Sequence, residues 1–544
     1  MKKVISMTVT VAMLVTMFST VVNLGKASAA TQDYDKALDY SIQFFDANKC
    51  GPDAGKDNVF SWRGACHTSD KGPNGEDLTG GYHDAGDHVK FGYPQAYSAA
   101  MLGWAMYEYK TVIDQTGNTQ KLLSTLKYFT DYFLKCHPNE NTFYHQVGEG
   151  GSDHGYWGPP ESQTGSRGVK VINANQAGTD VCGSTSAALS IMYLNYKDID
   201  SAYANKCLSA AKSLLALAKS KVGAYDEYEY YKSNAYDDDI AWASLWLYIA
   251  EGGSDASLLA DAETNCTKPK LNGEDPLKHL WTMCWDDVYL PTYIKLAQIT
   301  GKSIYKDAVN YSFDYWKNSL NTTPGGLKYL NNWGVLRYAS AEASLAFMYN
   351  NLIEKDDQLV SSFKSQIDYA LGSNPSNMSY VIGYGSKWPQ SPHHRAANPD
   401  KSSNAKYTLT GAVVGGPGNN DAYLDDVNQY QYTEVAIDYN ASFMLSLTSY
   451  LATTMNIQVV MPPKPQQTPE PQQIPSDIKY GDLDRSNTVD SLDFGLMRMH
   501  LIGIQTLSDD ALKAADVNRD GLVNSLDFGF IRQYLLGMIQ SLPV

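Results

Sequence analysis

Apolar residues recur at helical spacing in eleven stretches of this 544-residue chain, and that recurrence limits its fold more than any other feature. The stretches are Tyr34–Phe45, Tyr97–Tyr109, Leu122–Leu134, Thr185–Tyr196, Cys207–Ala218, Ile240–Ala250, Val288–Ile299, Ile304–Trp316, Val335–Leu352, Leu359–Leu371 and Val435–Leu451. Between them lie loops rich in Gly, Asp, Asn and Trp, such as Gly51–Gly81 and Gly372–Asp421. Loops of that length inside a compact domain are usually functional. The pattern predicts a mostly helical barrel or solenoid of paired helices, with a site built from loops at one end. Periodicity alone does not choose between the two.

One break in composition divides the chain. Residues 462–475 are Pro- and Gln-rich with a single Ile, an extended spacer rather than a folding unit. Domain boundaries follow: a large domain over 31–458, a linker over 459–478 and a small domain over 479–544. At the other end, Lys2 and Lys3 precede an apolar run from Val4 to Leu24, then Ala27-Ser28-Ala29. That is the layout of a secretory signal peptide spanning 1–30, so the mature protein is expected outside the cell. Lys and Arg number 43 against 59 Asp and Glu, a net charge of −16, which argues against nucleic acid. The 39 Tyr and 10 Trp supply rings with polar handles, suited to ligands that are half apolar, as sugars are. Seven cysteines cannot all pair within one chain.

The small domain is an internal repeat. The segment from Asp482 to Gly495 recurs from Asp516 to Gly529, an offset of 34 residues. Oxygen-bearing side chains stand at the spacing of an EF-hand calcium loop: Asp482, Asp484, Ser486 and Asp493 in one copy, Asp516, Asn518, Asp520 and Asp527 in the other. Gly521, and Asn487 in the first copy, stand where such a loop must turn sharply. Two such loops in tandem, sharing Ser-Leu-Asp-Phe-Gly, resemble a dockerin of type I, the module that attaches enzymes to cohesin domains on the scaffoldin of a cellulosome. The resemblance implies calcium in both loops and cohesin selection by Ser491, Leu492, Ser525 and Leu526. The near-identity of the copies implies two binding orientations.

Three segments of the large domain concentrate acids, histidines and glycines: Gly80–Phe91, Tyr384–Arg395 and Tyr423–Ala441. Asp84 and Asp87, three apart around Ala-Gly, can converge on one water. Carboxylates in distant loops, with His and Arg between them, suggest glycoside hydrolysis by an acid and a base. All three segments resemble glycoside hydrolase family 9, a cellulase family with an (α/α)6 barrel. The third matches the family signature at Tyr423, Asp425, Tyr430, Glu434, Ala436, Asn440 and Ala441. The resemblance implies inverting endo-β-1,4-glucanase activity on cellulose, with Asp87 as general base, Asp84 helping to hold the water and Glu434 as general acid. It places His393, Arg395 and Asp425 in the active site. It lines the cleft with His154, Trp157, Tyr230, Trp281, Trp333, Arg337, Tyr338 and Tyr430. Glu434 must keep its proton near neutral pH, through burial or a like charge, for which Asp425 is the expected neighbour.

Two metal sites are expected in the large domain. Family resemblance points to calcium at Asp238, Asp239 and Asp286, although Asn234-Ala235, Asp239 and Ser184 depart from the usual residues there. Cys50, Cys66, His67 and His83 make a complete tetrahedral set for structural zinc. A Cys50–Cys66 disulfide is the rival, but it leaves both histidines unexplained. Other readings keep the fold with mixed-linkage glucan or xyloglucan as substrate, or make the domain a glycan binder without activity. The intact Asp84, Asp87 and Glu434 set argues against the last. No room remains outside the two domains for a cellulose-binding module, so targeting to insoluble substrate is expected to fall to the scaffold.

Overall fold

In the computed structural model, residues 32–226, 230–233, 235–270, 272–457, 459–464 and 478–543 are described. The expected signal segment 1–30 and residues 465–477 of the expected linker lie outside them. The chain divides into two compact units, Met1–Pro463 and Lys464–Val544. Val459 packs on the first unit and Val460 O accepts from Gln298, so the expected linker begins a few residues early.

Among the described residues, twelve helices of at least ten residues build the first unit: α1 Tyr34–Asn48, α2 Gly92–Glu108, α3 Thr119–Cys136, α4 Thr179–Tyr196, α5 Ser201–Ser220, α6 Asp237–Ala250, α7 Ala256–Asn265, α8 Tyr289–Thr300, α9 Ser303–Asn318, α10 Val335–Leu352, α11 Asp357–Ala370 and α12 Ile437–Met455. They alternate in character. Helices α2, α4, α6, α8, α10 and α12 are buried almost all round, whereas α3, α9 and α11 bury one stripe at helical spacing. A helix apolar on every face must be enclosed; one with a single stripe covers others. The enclosed helices touch in the cycle α2–α4–α6–α8–α10–α12–α2, and each carries one outer partner: α3, α5, α7, α9, α11 and α1. The closed inner ring makes an (α/α)6 barrel and excludes the solenoid. Sequence periodicity misses only α7, a short helix in which Leu259 and Ala262 are the buried apolar residues.

Connections at the two ends differ, and that asymmetry locates the site. Links from inner to outer helices are short, such as 197–200, 251–255 and 301–302. Links from outer to inner helices are long: 49–91, 137–178, 221–236, 266–288, 319–334 and 371–436. The long loops therefore gather over the N-terminal ends of the inner helices, where unpaired N–H groups leave partial positive charge. Within them a small antiparallel sheet forms in the order β1 (Lys90–Phe91), β2 (Thr142–Val147), β3 (Val169–Asn173). Its first strand follows Asp87 directly and holds that loop against the barrel. Among the described residues no helix is long and apolar enough to cross a membrane.

The second unit holds α13 Ser491–Leu501, α14 Asp509–Ala515 and α15 Ser525–Leu535 around Met497, Ala515, Val517 and Ile531. Its two repeats face each other, with Phe494 stacked on Phe528 at 4.1 Å between ring centroids. The expected turn residues are left-handed, Asn487 at φ 66° and Gly521 at φ 83°.

Candidate active site

A cleft of about 700 Å³ opens among the long loops, lined by Asp84, Asp87, His154, Tyr230, Arg337, His393, Arg395, Tyr430 and Glu434 among others. The first carboxylate pair sits on a turn clamped from several sides. Asp84 N donates to Val89 O at 3.1 Å, and Asp84 O accepts from Ile437 N of α12 at 2.9 Å. Asp87 accepts from Ala85 N and Val89 N, both at 3.2 Å. Gly86 is required by closeness: a Cβ there would lie 1.9 Å from the His393 carbonyl oxygen. Its own carbonyl accepts from Arg395 N at 2.9 Å, so the loop bearing Asp84 and Asp87 and the His393–Arg395 segment are laced backbone to backbone.

Glu434 lines the same cleft, just before α12. His393 N donates to Thr433 O at 2.9 Å, and Gly415 N to Glu434 O at 2.8 Å. On its carboxylate, Oε2 accepts from Trp333 Nε1 at 2.5 Å and from Tyr439 OH at 3.1 Å.

The three carboxyl groups titrate apart. Burial, resisted by the Trp333 and Tyr439 hydrogen bonds and reinforced by the Asp87 charge, raises Glu434 to about 7. Burial also opposes ionisation of Asp87, but His154, 3.6 Å from its Oδ2, and Arg395 outweigh it and hold this group well below the usual carboxylate range. Burial, then the Asp87 charge, pushes Asp84 up; its Oδ2 accepts from Tyr231 OH, while Oδ1 is buried with no partner. A carboxylate kept charged and a carboxylic acid kept neutral in one cleft are what acid/base catalysis near neutral pH requires.

Other expected site residues divide by position. Tyr230, Trp333 and Tyr430 are exposed rings, with Trp333, which bonds Glu434, 5.0 Å from Tyr430, and Tyr230 beside His154, which pairs with Asp87. Arg337 bonds Asp438 at 2.8 Å and lies over the Tyr338 and Tyr439 rings. Trp157 flanks the cleft, its indole donating to Asn398 O while Arg395 lies over its ring at 5.2 Å. Trp281 and Tyr338 do not line the cleft; they pack edge to face at 5.2 Å and line a neighbouring cavity. Asp425 also departs from expectation. It is exposed and accepts from Gln390 N and Ser391 N, shaping the loop before His393, and it is not the charge that raises Glu434. Sequence reasoning passes over Tyr231, Trp285 and Tyr439, which line the cleft. Tyr439, one turn beyond Glu434, carried the only available signal.

Of the two metal sites expected in this domain, one is gathered. Donor atoms of Cys50, Cys66, His67 and His83 lie within 4.8 Å of one another, and both cysteines are free thiols. His67 Nδ1 stands 3.5 Å from Cys50 Sγ and 3.1 Å from His83 Nε2. Those separations match the edges of a tetrahedron with Zn–S of about 2.3 Å and Zn–N of about 2.0–2.1 Å. His67 holds φ at 48°, a conformation an ordinary residue keeps only where its surroundings compel it. By contrast Asp238, Asp239 and Asp286 are not among the described clusters of metal-donor side chains. Asp239 is engaged by Tyr93 OH at 2.9 Å and by Ser184 Oγ at 2.7 Å, and Asp238 by Val288 N at 2.9 Å. Next to them, Asp287 lies 2.8 Å from His279 Nε2 and 3.6 Å from Lys270 Nζ, while Asp238 Oδ1 is buried with no hydrogen-bond partner. In the second unit Asp482, Asp484 and Asp493 form one cluster and Asp516, Asp520 and Asp527 another. Ser486 and Asn518, the remaining expected ligands, accept from backbone N–H groups of the same loops. Ser491, Leu492, Ser525 and Leu526 open α13 and α15, with both leucines more than half exposed.

A helical barrel with several carboxyl groups gathered in one cleft at its loop end is the architecture of a glycoside-hydrolase domain, and the family comparison agrees. Residues 34–447 match the Glycosyl hydrolase family 9 model, and the chain belongs to that family. Residues 480–536 match the Dockerin type I domain. The cellulase Cel9M of C. cellulolyticum is 57% identical, with a TM-score of 0.75, over 78% of this chain and all of that one. The same cellulase in complex with cellobiose gives 56% identity and a TM-score of 0.76, over 79% of this chain and all of that one. Endoglucanase B of Cellulomonas fimi is 39% identical over 81% of this chain, which spans 44% of that longer relative.

Proposed function

We propose that this protein is a secreted endo-β-1,4-glucanase that hydrolyses cellulose with inversion at the anomeric carbon. Its C-terminal module docks it to a scaffoldin cohesin. The observation that carries the reading is that Asp87, with His154 3.6 Å from its carboxylate, and Glu434, with Trp333 and Tyr439 on its own, line one aromatic-edged cleft. In this mechanism Asp87 takes the proton of the attacking water and Asp84 offers that water a second oxygen. Glu434 donates its proton to the leaving glycosidic oxygen. Inversion follows because water, and no protein atom, attacks the carbon; such enzymes space the two carboxyl groups roughly 6.5–9.5 Å apart to admit it. His154 and Arg395 keep the base charged, and Trp333 with Tyr430 offers the sugar a stacking face.

Zinc fits Cys50, Cys66, His67 and His83, and supplies structural cross-linking to loop 49–91, which has little apolar core of its own. His83 adjoins Asp84, so the same anchor steadies the base loop. Calcium in the second unit fits the Asp482 and Asp516 clusters and supplies folding free energy to a small domain. Reducing-sugar release from carboxymethylcellulose, compared with Glu434→Gln, tests the catalytic reading. Loss of at least a hundredfold in kcat is expected in the variant, and equal activity in both proteins refutes it.

A further inference from the structure

Beyond the exposed Trp333–Tyr430 pair lies a second groove of about 570 Å³, lined by Asn321, Thr322, Tyr329, Asn331, Asn332 and Asn419 together with one leucine. Its chemistry is unusual for this chain. Although 19% of all residues are charged, no Asp, Glu, Lys or Arg lines the groove. Four carboxamides, a hydroxyl and a phenol present donors and acceptors without net charge, which suits a neutral ligand rich in hydroxyls. The side chains of Asn321, Asn332 and Asn419 are exposed.

The groove is tied to the catalytic acid through both walls. One wall is the loop 319–334: Asn331 Oδ1 accepts from Trp333 N at 3.0 Å, and the next residue but one sends its indole to Glu434. The other wall leads back to Gly415, whose N–H donates to the Glu434 carbonyl at 2.8 Å and whose carbonyl accepts from Leu336 N at 3.2 Å. Groove and acid are therefore set by the same two loops. Within the cleft, Asp87 is flanked by His154 and Tyr230, and Glu434 by Trp333 and Tyr430. A general acid stands beside the leaving group, so the departing sugar has Trp333, which bonds that acid, as an exposed ring close by. Asn331 and Asn332 of the groove directly precede Trp333 in the chain.

We infer that the groove is a glucan subsite on the leaving-group side, beyond the sugar stacked at Trp333, which holds chains too long for the cleft alone. The inference rests on the glucanase reading, and binding separates the two. Asn332→Ala with Asn419→Ala removes two exposed amides and touches no residue of the catalytic set. Calorimetry of cellohexaose and cellotetraose is run in the Glu434→Gln background, so that no turnover is needed. The double substitution is expected to weaken cellohexaose three- to tenfold and leave cellotetraose unchanged. With Glu434 restored, kcat/KM for the hexaose falls by the same factor, and that for the tetraose does not. Unchanged hexaose affinity, or equal losses for both lengths, overturns the subsite. Binding of both sugars without hydrolysis by the parent protein would instead overturn the glucanase reading and leave the subsite standing on its affinity difference.

Discussion

Trp333→Phe keeps an aromatic face over the cleft but removes the N–H that donates to Glu434 Oε2 at 2.5 Å. A donor favours the carboxylate over the acid, so its loss should raise the Glu434 pKa further. Hydrogen bonds to charged groups contribute about 1.5–3 kcal/mol and those to neutral groups about 1 kcal/mol, a differential of about 1 kcal/mol. Since 1.36 kcal/mol corresponds to one pKa unit, the shift comes to about 0.7 of a unit. Tyr439 still donates at 3.1 Å, which keeps the change from being larger. The sign follows from the role. A general acid works while protonated, so activity falls as pH rises through the Glu434 value of about 7, and the variant should hold its activity to higher pH. The assay is kcat/KM on carboxymethylcellulose across pH 5 to 9, reading the position of the alkaline limb rather than its height. Weaker stacking lowers the height and does not move the limb. An unmoved limb, or one displaced to lower pH, would show that Glu434 is not the proton donor or that Trp333 does not tune it.

Three further outcomes follow from the geometry. Gly86→Ala brings a Cβ to 1.9 Å from the His393 carbonyl, so the base loop must move; kcat should drop about a hundredfold with helical content unchanged, and a loss under threefold would count against the lacing of the two loops. His83→Ala should cost one zinc per chain by elemental analysis of the purified protein; parent protein without zinc and with Cys50 linked to Cys66 by mass spectrometry would replace the metal by a disulfide. Chelation of calcium should unfold residues 480–536 and abolish cohesin binding while sparing turnover, and cohesin binding that survives excess chelator would remove calcium from the module's fold.

Much of this protein is legible in one dimension because its elements are local. Helices announce themselves through neighbours three and four residues apart, which is why all but the short Ala256–Asn265 could be read directly. The tandem acidic loops are local too, since each set of ligands comes from a single turn of chain. Asp84, Asp87 and Glu434 were recognisable as types in signature segments. What separates their proton affinities was not legible, because it comes from residues far along the chain: His154 and Arg395 for Asp87, burial and Trp333 for Glu434. Asp425 shows the limit of adjacency. Nine residues from Glu434 in sequence, it turns away to cap Gln390 and Ser391. Asp238 and Asp239, which family resemblance marks for calcium, take hydrogen bonds from Tyr93, Ser184 and Val288 on other parts of the chain, and no spacing in the sequence announces those partners. Ring closure itself was beyond periodicity, since a helix apolar on every face must be enclosed, but its pattern does not say which remote helices enclose it. Spacing along the chain determined which helices and which calcium loops form; contacts between distant loops decided where charge is held, because burial and Coulomb interaction act through space.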